Sequence, residues 1–274
     1  MIIISFFYDD NQFLLIHPDL LLPKKLIMSV IETNLTHQTI GEIVREDIRA
    51  AKILKRYGID FCCGGKKTLE KACEEKNADI NAIQEELIGL VSRNNLFPEV
   101  NPDKWEIDFL CDYIENIHHT YVKQNIPVIT ELAEKVARVH GEHAPELVKI
   151  KNLFAQVVKE LTPHMQKEEL VLFPFIKKLK AESKTKTEIA AAHFGTVKNP
   201  IRMMEIEHEL AGSLIEQIYL LSNYFALPDW ACNSYKLLYN SLSEFREDLH
   251  RHIHLENNIL FPKAIALEEK FSTH

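Results

Sequence analysis

The sequence predicts an all-α protein in which a small helical domain precedes a bundle of four long helices. Its 274 residues are 46% apolar and 26% charged, and only 8 Gly and 11 Pro are present to interrupt helices. After Trp105, apolar residues recur at helical spacing in four long stretches, at about residues 107–138, 146–180, 199–224 and 230–267. Four long amphipathic helices in one domain indicate an antiparallel bundle.

The small helical domain is predicted over residues 36–95. Within residues 39–57, apolar side chains fall on one face of a single helix. Thr39 and Glu42 have the spacing of a capping box at the start of this helix, and Gly58 is suited to stop it. The pattern therefore predicts one helix between these two signals.

Further signals place the domain boundaries. Two shorter helical patterns complete the small domain, at about residues 68–75 and 79–93. Residues 95–105 contain two prolines and two asparagines and are the predicted linker to the bundle domain, residues 105–268. Inside the bundle patterns, three prolines are expected to cause kinks or local helix ends: Pro127, Pro163 and Pro174.

Residues 1–35 are predicted to form a disordered extension. Their apolar start does not fit a signal peptide, because no basic residue precedes it, Asp9 and Asp10 interrupt it and no small-residue cleavage site follows. No apolar run in the chain has the length of a membrane span. Met28 is a candidate for the natural start of translation, which mass spectrometry of the native N-terminus would test.

The charge and the cysteine content argue against two classes of protein, those that bind nucleic acid or anionic membranes by charge and those that are secreted with a disulfide framework. The formal net charge of −8 argues against binding to nucleic acid or to an anionic membrane surface. The five cysteines are too few and too unevenly spaced for a secreted disulfide framework, so a reducing cytoplasm is expected. Three of them lie in helical patterns and are predicted to be buried small apolar residues: Cys73, Cys111 and Cys232.

A repeated motif suggests that the bundle contains two similar halves. The segment HMQKEELVLFP, residues 164–174, and the segment HIHLENNILFP, residues 252–262, share His, Glu, Leu, Phe and Pro at the same positions. A further histidine precedes each motif at a nearly equal distance along the chain: His119 before the first and His208 before the second. The Leu-Phe-Pro endings are expected to pack in the core.

The repeat identifies six candidate metal ligands. Residues i and i+4 share one helix face, so His164 with Glu168, and His252 with Glu256, can reach a common centre. The alignment of the two motifs selects His252 over His254, and the spacing selects His119 over His118. A single His-x-x-x-Glu is usually a solvated pair, but two matched copies with matched upstream histidines favour a metal site.

Four imidazoles and two carboxylates suit two metal ions. Each ion would be held by two histidines, and Glu168 and Glu256 would bridge them. Imidazole with carboxylate favours iron or manganese over structural zinc, which is typically held by thiolates. So few protein ligands leave positions for an oxo or hydroxo group or a small diatomic ligand. Glu160 and Glu207 are weaker candidates that would orient an imidazole or move protons, with simple solvent exposure as the alternative.

The chain resembles the family of iron–sulfur cluster repair di-iron proteins, which have a hemerythrin-like C-terminal domain. The pattern H…HxxxE…H…HxxxE at the six ligand positions carries this resemblance, together with TIGEIV…ILKRYGIDFCCGG at residues 39–65. It covers about residues 36–265. The resemblance implies two iron ions and a cytoplasmic role in restoring iron–sulfur clusters damaged by nitric oxide or peroxide. Its expected partners are damaged iron–sulfur proteins and small ligands such as nitric oxide or oxygen.

Cys62 and Cys63, followed by Gly64 and Gly65, are candidate redox thiols or a transient iron relay. The alternative is a tight loop in which two small cysteines pack. The sequence leaves open whether the activity is iron donation, nitric oxide reduction or both, and whether the chain is a monomer or a homodimer. Two other functions compete: a hemerythrin-like oxygen or nitric oxide sensor, and a helical scaffold without metal.

Overall fold

The computed structural model describes residues 35–91, 101–185 and 193–272, and these residues form α-helices joined by turns. Within these ranges no β-strand occurs, and Thr39 and Thr68 form an isolated bridge. The predicted all-α class is therefore confirmed. The predicted N-terminal extension up to residue 34 and most of the predicted linker lie outside the described residues. None of the helices in the described ranges is both long and apolar enough to cross a membrane.

The described part of the N-terminal module includes the short helices α1 (Ile40–Glu46), α2 (Ala50–Arg56), α3 (Leu69–Lys76) and α4 (Ile80–Val91). The capping box at the start of α1 is present, since the Thr39 hydroxyl accepts a hydrogen bond from the Glu42 backbone and the Glu42 carboxylate accepts one from the Thr39 backbone. Gly58 follows α2 with a φ of 69°, a conformation that suits glycine. Both predicted helix signals are confirmed.

The prediction of one helix across residues 39–57 is wrong, because the helix breaks at Asp47. Asp47 is extended, with φ −146° and ψ 105°, and it ends α1. Its carboxylate accepts hydrogen bonds from the Arg49 backbone and guanidinium at 2.9 and 2.7 Å. An aspartate that bonds the backbone two residues ahead favours a turn over a helix, which a search for apolar periodicity overlooks.

Four long rods form the bundle, and three of them contain a π-helical turn. The first rod is α5 (Ile107–Tyr113), π1 (Ile114–His119) and α6 (Thr120–His140). The second is α7 (Glu146–Lys167), π2 (Glu168–Leu172) and α8 (Phe173–Thr185). The third is α9 (Lys198–Leu221), and the fourth is α10 (Asn233–Leu255), π3 (Glu256–Leu260) and α11 (Phe261–Ser272). The predicted bundle is thus confirmed.

The prolines inside the rods do not end them. α6 continues through Pro127 and α7 through Pro163, so the expected local ends are absent at both positions. Pro174 and Pro262 each come second after a π-helical turn. Proline cannot donate a backbone hydrogen bond and its ring crowds the preceding turn, and a wider turn at that point accommodates it. The repeated Leu-Phe-Pro therefore marks the end of each wide turn.

The four rods pack in a ring, because α6 and α9 each contact both α7 and α10. Two hydrophobic clusters fill the bundle on either side of the predicted ligands. One cluster includes, from the four rods in turn, Val122, Met165, Ala211 and Ile253. The other includes Ile114, Leu172, Met204 and Leu255. The six candidate ligands therefore form a polar layer between two apolar ones.

The N-terminal module packs on the bundle. Apolar residues of the module, such as Leu54 and Phe61, belong to the same cluster as the apolar core of α6, α7, α9 and α10. Ion pairs between Lys55 and Glu247 at 3.1 Å, and between Lys66 and Glu205 at 2.7 Å, border the contact. The module and the bundle thus share one continuous core.

Candidate metal centre

The structure brings all six candidate ligands into the buried polar layer, and each is at most 1% exposed. They form two overlapping groups whose ligand atoms lie within 4.8 Å of one another. The first group is His119, His252, Glu168 and Glu256, and the second is His164, His208, Glu168 and Glu256. Each group has its own pair of imidazoles, and both groups use the same two carboxylates.

Each shared carboxylate reaches one imidazole of both groups. One oxygen of Glu168 lies 3.3 Å from Nε2 of His119 and 3.3 Å from Nε2 of His164. The two oxygens of Glu256 lie 2.9 Å from Nε2 of His252 and 3.0 Å from Nε2 of His208. This is the arrangement that a pair of bridging carboxylates requires.

The residues present fit a pair of metal ions. Both oxygens of Glu168 and one oxygen of Glu256 are buried without a well-aligned hydrogen bond. Buried carboxylates are unfavourable unless a cation or hydrogen bonds compensate them. Imidazole nitrogen with carboxylate oxygen is a donor set typical of iron and manganese sites. Each group can therefore hold a metal ion.

The electrostatics keep the shared carboxylates charged. Burial favours their neutral form, but the surrounding imidazoles outweigh it and lower the pKa of Glu168 and Glu256. Burial likewise opposes protonation of His119 and His164, but the nearby glutamates outweigh it and raise the pKa of each imidazole to about 10. A metal cation must therefore displace protons from these imidazoles.

Three of the four imidazoles are held by a hydrogen bond from their outer nitrogen. Nδ1 of His119 donates to Glu169 at 2.8 Å, and Nδ1 of His208 donates to Asn257 at 2.8 Å. Such bonds fix the orientation of a ligating imidazole and increase its basicity. Sequence reasoning missed Glu169 and Asn257. The repeat could have identified both residues, because each directly follows one of the two glutamates at which the motifs align.

Nδ1 of His164 donates to Glu207 at 2.9 Å, so Glu207 is in position to orient this imidazole, and the orienting role stays a prediction. This hydrogen bond is the main cause that lowers the pKa of Glu207 to about 2. Glu160 is half-buried, and no hydrogen bond or ion pair joins it to His164 among the described residues. The residue equivalent to Glu160 in the second motif is Asp248, which accepts a hydrogen bond from Nδ1 of His118 at 2.8 Å.

The two histidines that the repeat sets aside lie outside both groups. His254 is buried against the module, where its ring meets Phe61 edge-on at 5.8 Å and its Nδ1 accepts a hydrogen bond from Asn258 at 3.0 Å. His118 is buried and its ring stacks on that of His252 at 5.7 Å. The structure therefore places His252 and His119 in the polar layer in preference to their neighbours.

The cysteine loop is built around Asp60. The Asp60 carboxylate accepts hydrogen bonds from the backbone of Cys62 at 2.9 Å, Cys63 at 3.2 Å and Gly64 at 3.1 Å. It also accepts one from the Cys62 thiol at 3.0 Å. Asp60, Cys62 and Cys63 are close enough to form a third group of potential metal ligands. However, the bonds already made by Asp60 define it as the residue that shapes the loop.

The loop places Cys63 against the bundle. The Cys63 thiol donates to the backbone carbonyl of His208 at 3.5 Å, whereas Cys62 is buried. The hydrogen bond with Cys63, burial and the charge of Asp60 raise the pKa of Cys62 well above its usual range. Cys62 is therefore a protonated thiol at neutral pH, and Cys63 is the better placed of the two for chemistry near the polar layer.

Asn258, a residue of π3, holds this loop against the bundle through hydrogen bonds. Its amide donates to the backbone carbonyls of Phe61 at 3.2 Å and Cys62 at 3.4 Å. A Cβ at Gly41 or Gly65 would lie 2.5 or 2.4 Å from the Asn258 side chain. A side chain at either position would displace the Asn258 side chain from the hydrogen bonds that it makes to the loop. The cysteine motif identifies the loop in the sequence, but its contact with Asn258 depends on tertiary packing.

The remaining cysteines agree only in part with the sequence prediction. Cys73 and Cys111 are buried, as expected, but Cys232 is exposed. The helical pattern of residues 230–267 begins too early, because α10 starts at Asn233 and Cys232 is its N-cap. The Cys232 thiol lies 3.2 Å from Nε2 of His140.

Comparisons with known proteins agree with this geometry. Residues 115–264 match the hemerythrin HHE cation binding domain, and residues 36–90 match a family described as a domain of unknown function (DUF542). The fold and the polar layer thus define a protein built on a hemerythrin HHE bundle.

Curated relatives identify the family more closely. Over 235 residues the chain is 34% identical to the iron-sulfur cluster repair protein YtfE of Yersinia pestis, which covers 85% of this chain and 98% of the relative. Over 231 residues it is 35% identical to a Haemophilus influenzae protein named "Probable iron-sulfur cluster repair protein", with 83% of this chain and 96% of the relative covered. The chain belongs to the iron–sulfur cluster repair protein family.

Proposed function

We propose that this protein repairs iron–sulfur clusters damaged by oxidative or nitrosative stress, and that it does so by donating iron from a di-iron centre. One observation carries the proposal: two pairs of buried imidazoles share the same two buried carboxylates. The names of the relatives support the repair function. They also favour repair over a hemerythrin-like sensor of oxygen or nitric oxide.

In this proposal His119 and His252 hold one iron ion, and His164 and His208 hold the other. Glu168 and Glu256 would serve both ions, and the coordination positions left free would suit an oxo or hydroxo group. The centre supplies iron for repair and positions that are open to a small ligand such as nitric oxide. Binding of nitric oxide at those positions is the second candidate function, since the six protein ligands leave coordination sites free for two ions.

The protein residues around the centre have separate tasks. Glu169, Glu207 and Asn257 orient imidazoles. The two apolar clusters exclude bulk water from the layer. Cys63, next to the carbonyl of His208, is the candidate thiol for redox chemistry or for accepting iron that leaves the bundle. The partners are damaged iron–sulfur proteins, and the proposed location is the cytoplasm.

Iron loading and repair activity test this proposal together. The purified protein is reconstituted with Fe(II) without oxygen, and iron is counted before mixing with an enzyme whose [4Fe–4S] cluster has been damaged by peroxide. We expect two irons per chain and recovery of the client enzyme. Glu168→Ala and Glu256→Ala should bind iron at least about tenfold more weakly and fail to restore the client.

Glu160→Ala is the matched control, since Glu160 lies on the same rod as Glu168 but outside both ligand groups. It should load and repair like the wild type. Zinc without iron after aerobic expression in iron-rich medium, or full repair by both glutamate variants, would refute the proposal. An oxygen adduct that forms and releases reversibly would favour the sensor instead.

A further inference from the structure

The two halves of the polar layer are related by the sequence repeat, and one pair of hydrogen bonds follows that relation. His119 corresponds to His208, and each donates to the residue directly after a shared glutamate, Glu169 in one half and Asn257 in the other. The equivalence predicts that the other two imidazoles, His164 and His252, are also held alike.

They are not held alike. His164 donates from Nδ1 to Glu207, the residue directly before His208. The equivalent residue, directly before His119, is His118, and it makes no hydrogen bond to His252. Nδ1 of His252 is buried and has no hydrogen-bond partner among the described residues.

His118 instead contacts His252 through its ring face. The two rings stack at 5.7 Å with 12° between their planes. The Nδ1 of His118 is already used, because it donates to Asp248 at 2.8 Å. Stacking limits the tilt of the His252 ring, but unlike a carboxylate it neither fixes the tautomer nor increases the basicity of Nε2.

The two proposed metal positions therefore differ in one respect. The position of His164 and His208 has both imidazoles held, by Glu207 and Asn257. The position of His119 and His252 has one held, by Glu169. Loss of such a supporting hydrogen bond typically lowers metal affinity by about 10- to 100-fold.

We propose that the iron held by His119 and His252 is the one that the protein gives up first, while the iron held by His164 and His208 stays. This inference rests on the proposed di-iron function. On release, Nε2 of His119 and His252 and the carboxylate oxygens of Glu168 and Glu256 would give up this Fe(II) to the chelator or client that accepts it. The iron would keep its oxidation state, and the two imidazoles would take up protons from the solvent. The remaining position keeps its two histidines and both glutamates.

Release of Fe(II) to a chelator tests the inference. The protein is loaded with two Fe(II) without oxygen and mixed with excess ferrozine, and the absorbance of the ferrous complex is followed. We expect two phases of equal amplitude with rates that differ by about tenfold or more. Co(II) titration of the metal-free protein, followed by visible absorption, should likewise show two binding steps.

Variants that exchange equivalent residues between the two halves show which iron leaves in the fast phase and which in the slow phase. His118→Glu, combined with Asp248→Asn to avoid two facing carboxylates, gives His252 the partner that Glu207 gives His164, and it should slow the fast phase severalfold. Glu207→His removes the partner of His164 and should speed the slow phase. His118→Phe keeps a ring against His252 without adding a carboxylate and should leave the fast phase fast. Circular dichroism of each metal-free variant checks the fold.

The outcomes separate the two proposals. A protein that binds no iron overturns both the proposed function and this inference. Two irons that leave in one phase, or a fast phase that responds to Glu207→His and not to the His118→Glu variant, overturn this inference alone. A slowed fast phase in the His118→Glu variant supports it.

Discussion

The two neighbouring cysteines have different surroundings. The hydrogen bond with Cys63 and burial raise the pKa of Cys62 most, and the charge and the hydrogen bond of Asp60 add to them, so Cys62 stays protonated. Cys63 is half-buried and faces the carbonyl of His208. The thiolate is the reactive form of cysteine, and the raised pKa and burial of Cys62 make it unreactive, so the more accessible Cys63 is the one positioned to react.

Labelling rates test this difference. In a Cys232→Ser background, which removes the exposed cysteine, we expect a maleimide to modify Cys63 at least about tenfold faster than Cys62. Cys62→Ser should keep the fast reaction and Cys63→Ser should lose it, with modified sites identified by mass spectrometry. Equal labelling of the two thiols would contradict the assignment.

At the residue scale, the sequence predicts those ligand positions that the two copies of the repeat have in common. His252 is distinguishable from His254 because the first motif has Gln166 at the position of His254. Glu207 is a candidate in the sequence because it adjoins His208, but the sequence does not show that it holds His164, which lies on another rod. Such contacts depend on how the rods pack, and periodicity along one rod does not record that.

At the element scale, short helices of the module depend on local hydrogen bonds at their ends. The Glu42 carboxylate is held by the Thr39 backbone and hydroxyl at 2.8 Å each, and these bonds lower the pKa of Glu42. A carboxyl whose folded pKa lies below its unfolded value stabilises the fold fully above the unfolded value, here about 4.5, and loses that effect as the pH falls through the folded value.

The capping box therefore predicts a pH-dependent difference in stability. Replacing Glu42→Gln should lower the free energy of unfolding by about 1 kcal/mol or less at neutral pH. The difference from the wild type should shrink as the pH falls below about 4.5. Urea unfolding of the metal-free proteins at several pH values measures it. Glu70→Gln, an exposed first-turn glutamate of α3, is the control, and a constant Glu42→Gln difference would argue against the capping role.

Elements with clear end signals were predictable, and changes of pitch inside helices were not. The capping box at Thr39 and the stop at Gly58 are visible in the sequence. The turns π1, π2 and π3 are not visible, because one residue inserted into a helical turn shifts the apolar pattern too little to be detected. The break at Asp47 is missed because it depends on local hydrogen bonds and leaves the apolar spacing unchanged. The π-helical turns nevertheless coincide with three of the predicted ligands, His119, Glu168 and Glu256.

At the scale of the whole molecule, a charged layer separates two apolar clusters. The layer contains two ionised carboxylates that are fully buried, Glu168 and Glu256. A ligand that binds only the folded state adds to stability by an amount that grows with the logarithm of its free concentration relative to Kd. Bound cations should therefore stabilise the bundle strongly.

Removal of metal should lower the melting temperature. At a free metal concentration of about 1,000 times Kd, binding adds about 4 kcal/mol, which corresponds to a difference of about 10 °C for a chain of this size. Differential scanning calorimetry with and without a chelator measures the shift. In Glu168→Leu/Glu256→Leu the chelator should have no effect, and its metal-free form should melt no lower than the metal-free wild type. Identical melting of the loaded and stripped wild type would contradict this expectation.

Three consecutive residues of π3 face three different parts of the molecule. Glu256 faces the imidazoles, Asn257 holds the ring of His208, and Asn258 carries the cysteine loop. One short stretch of backbone thus fixes the distance between the centre and the module. A rotation of this turn that moves Glu256 would also move Asn258 and the loop that it holds. We therefore expect the position of the module to be coupled to the binding of metal in the bundle.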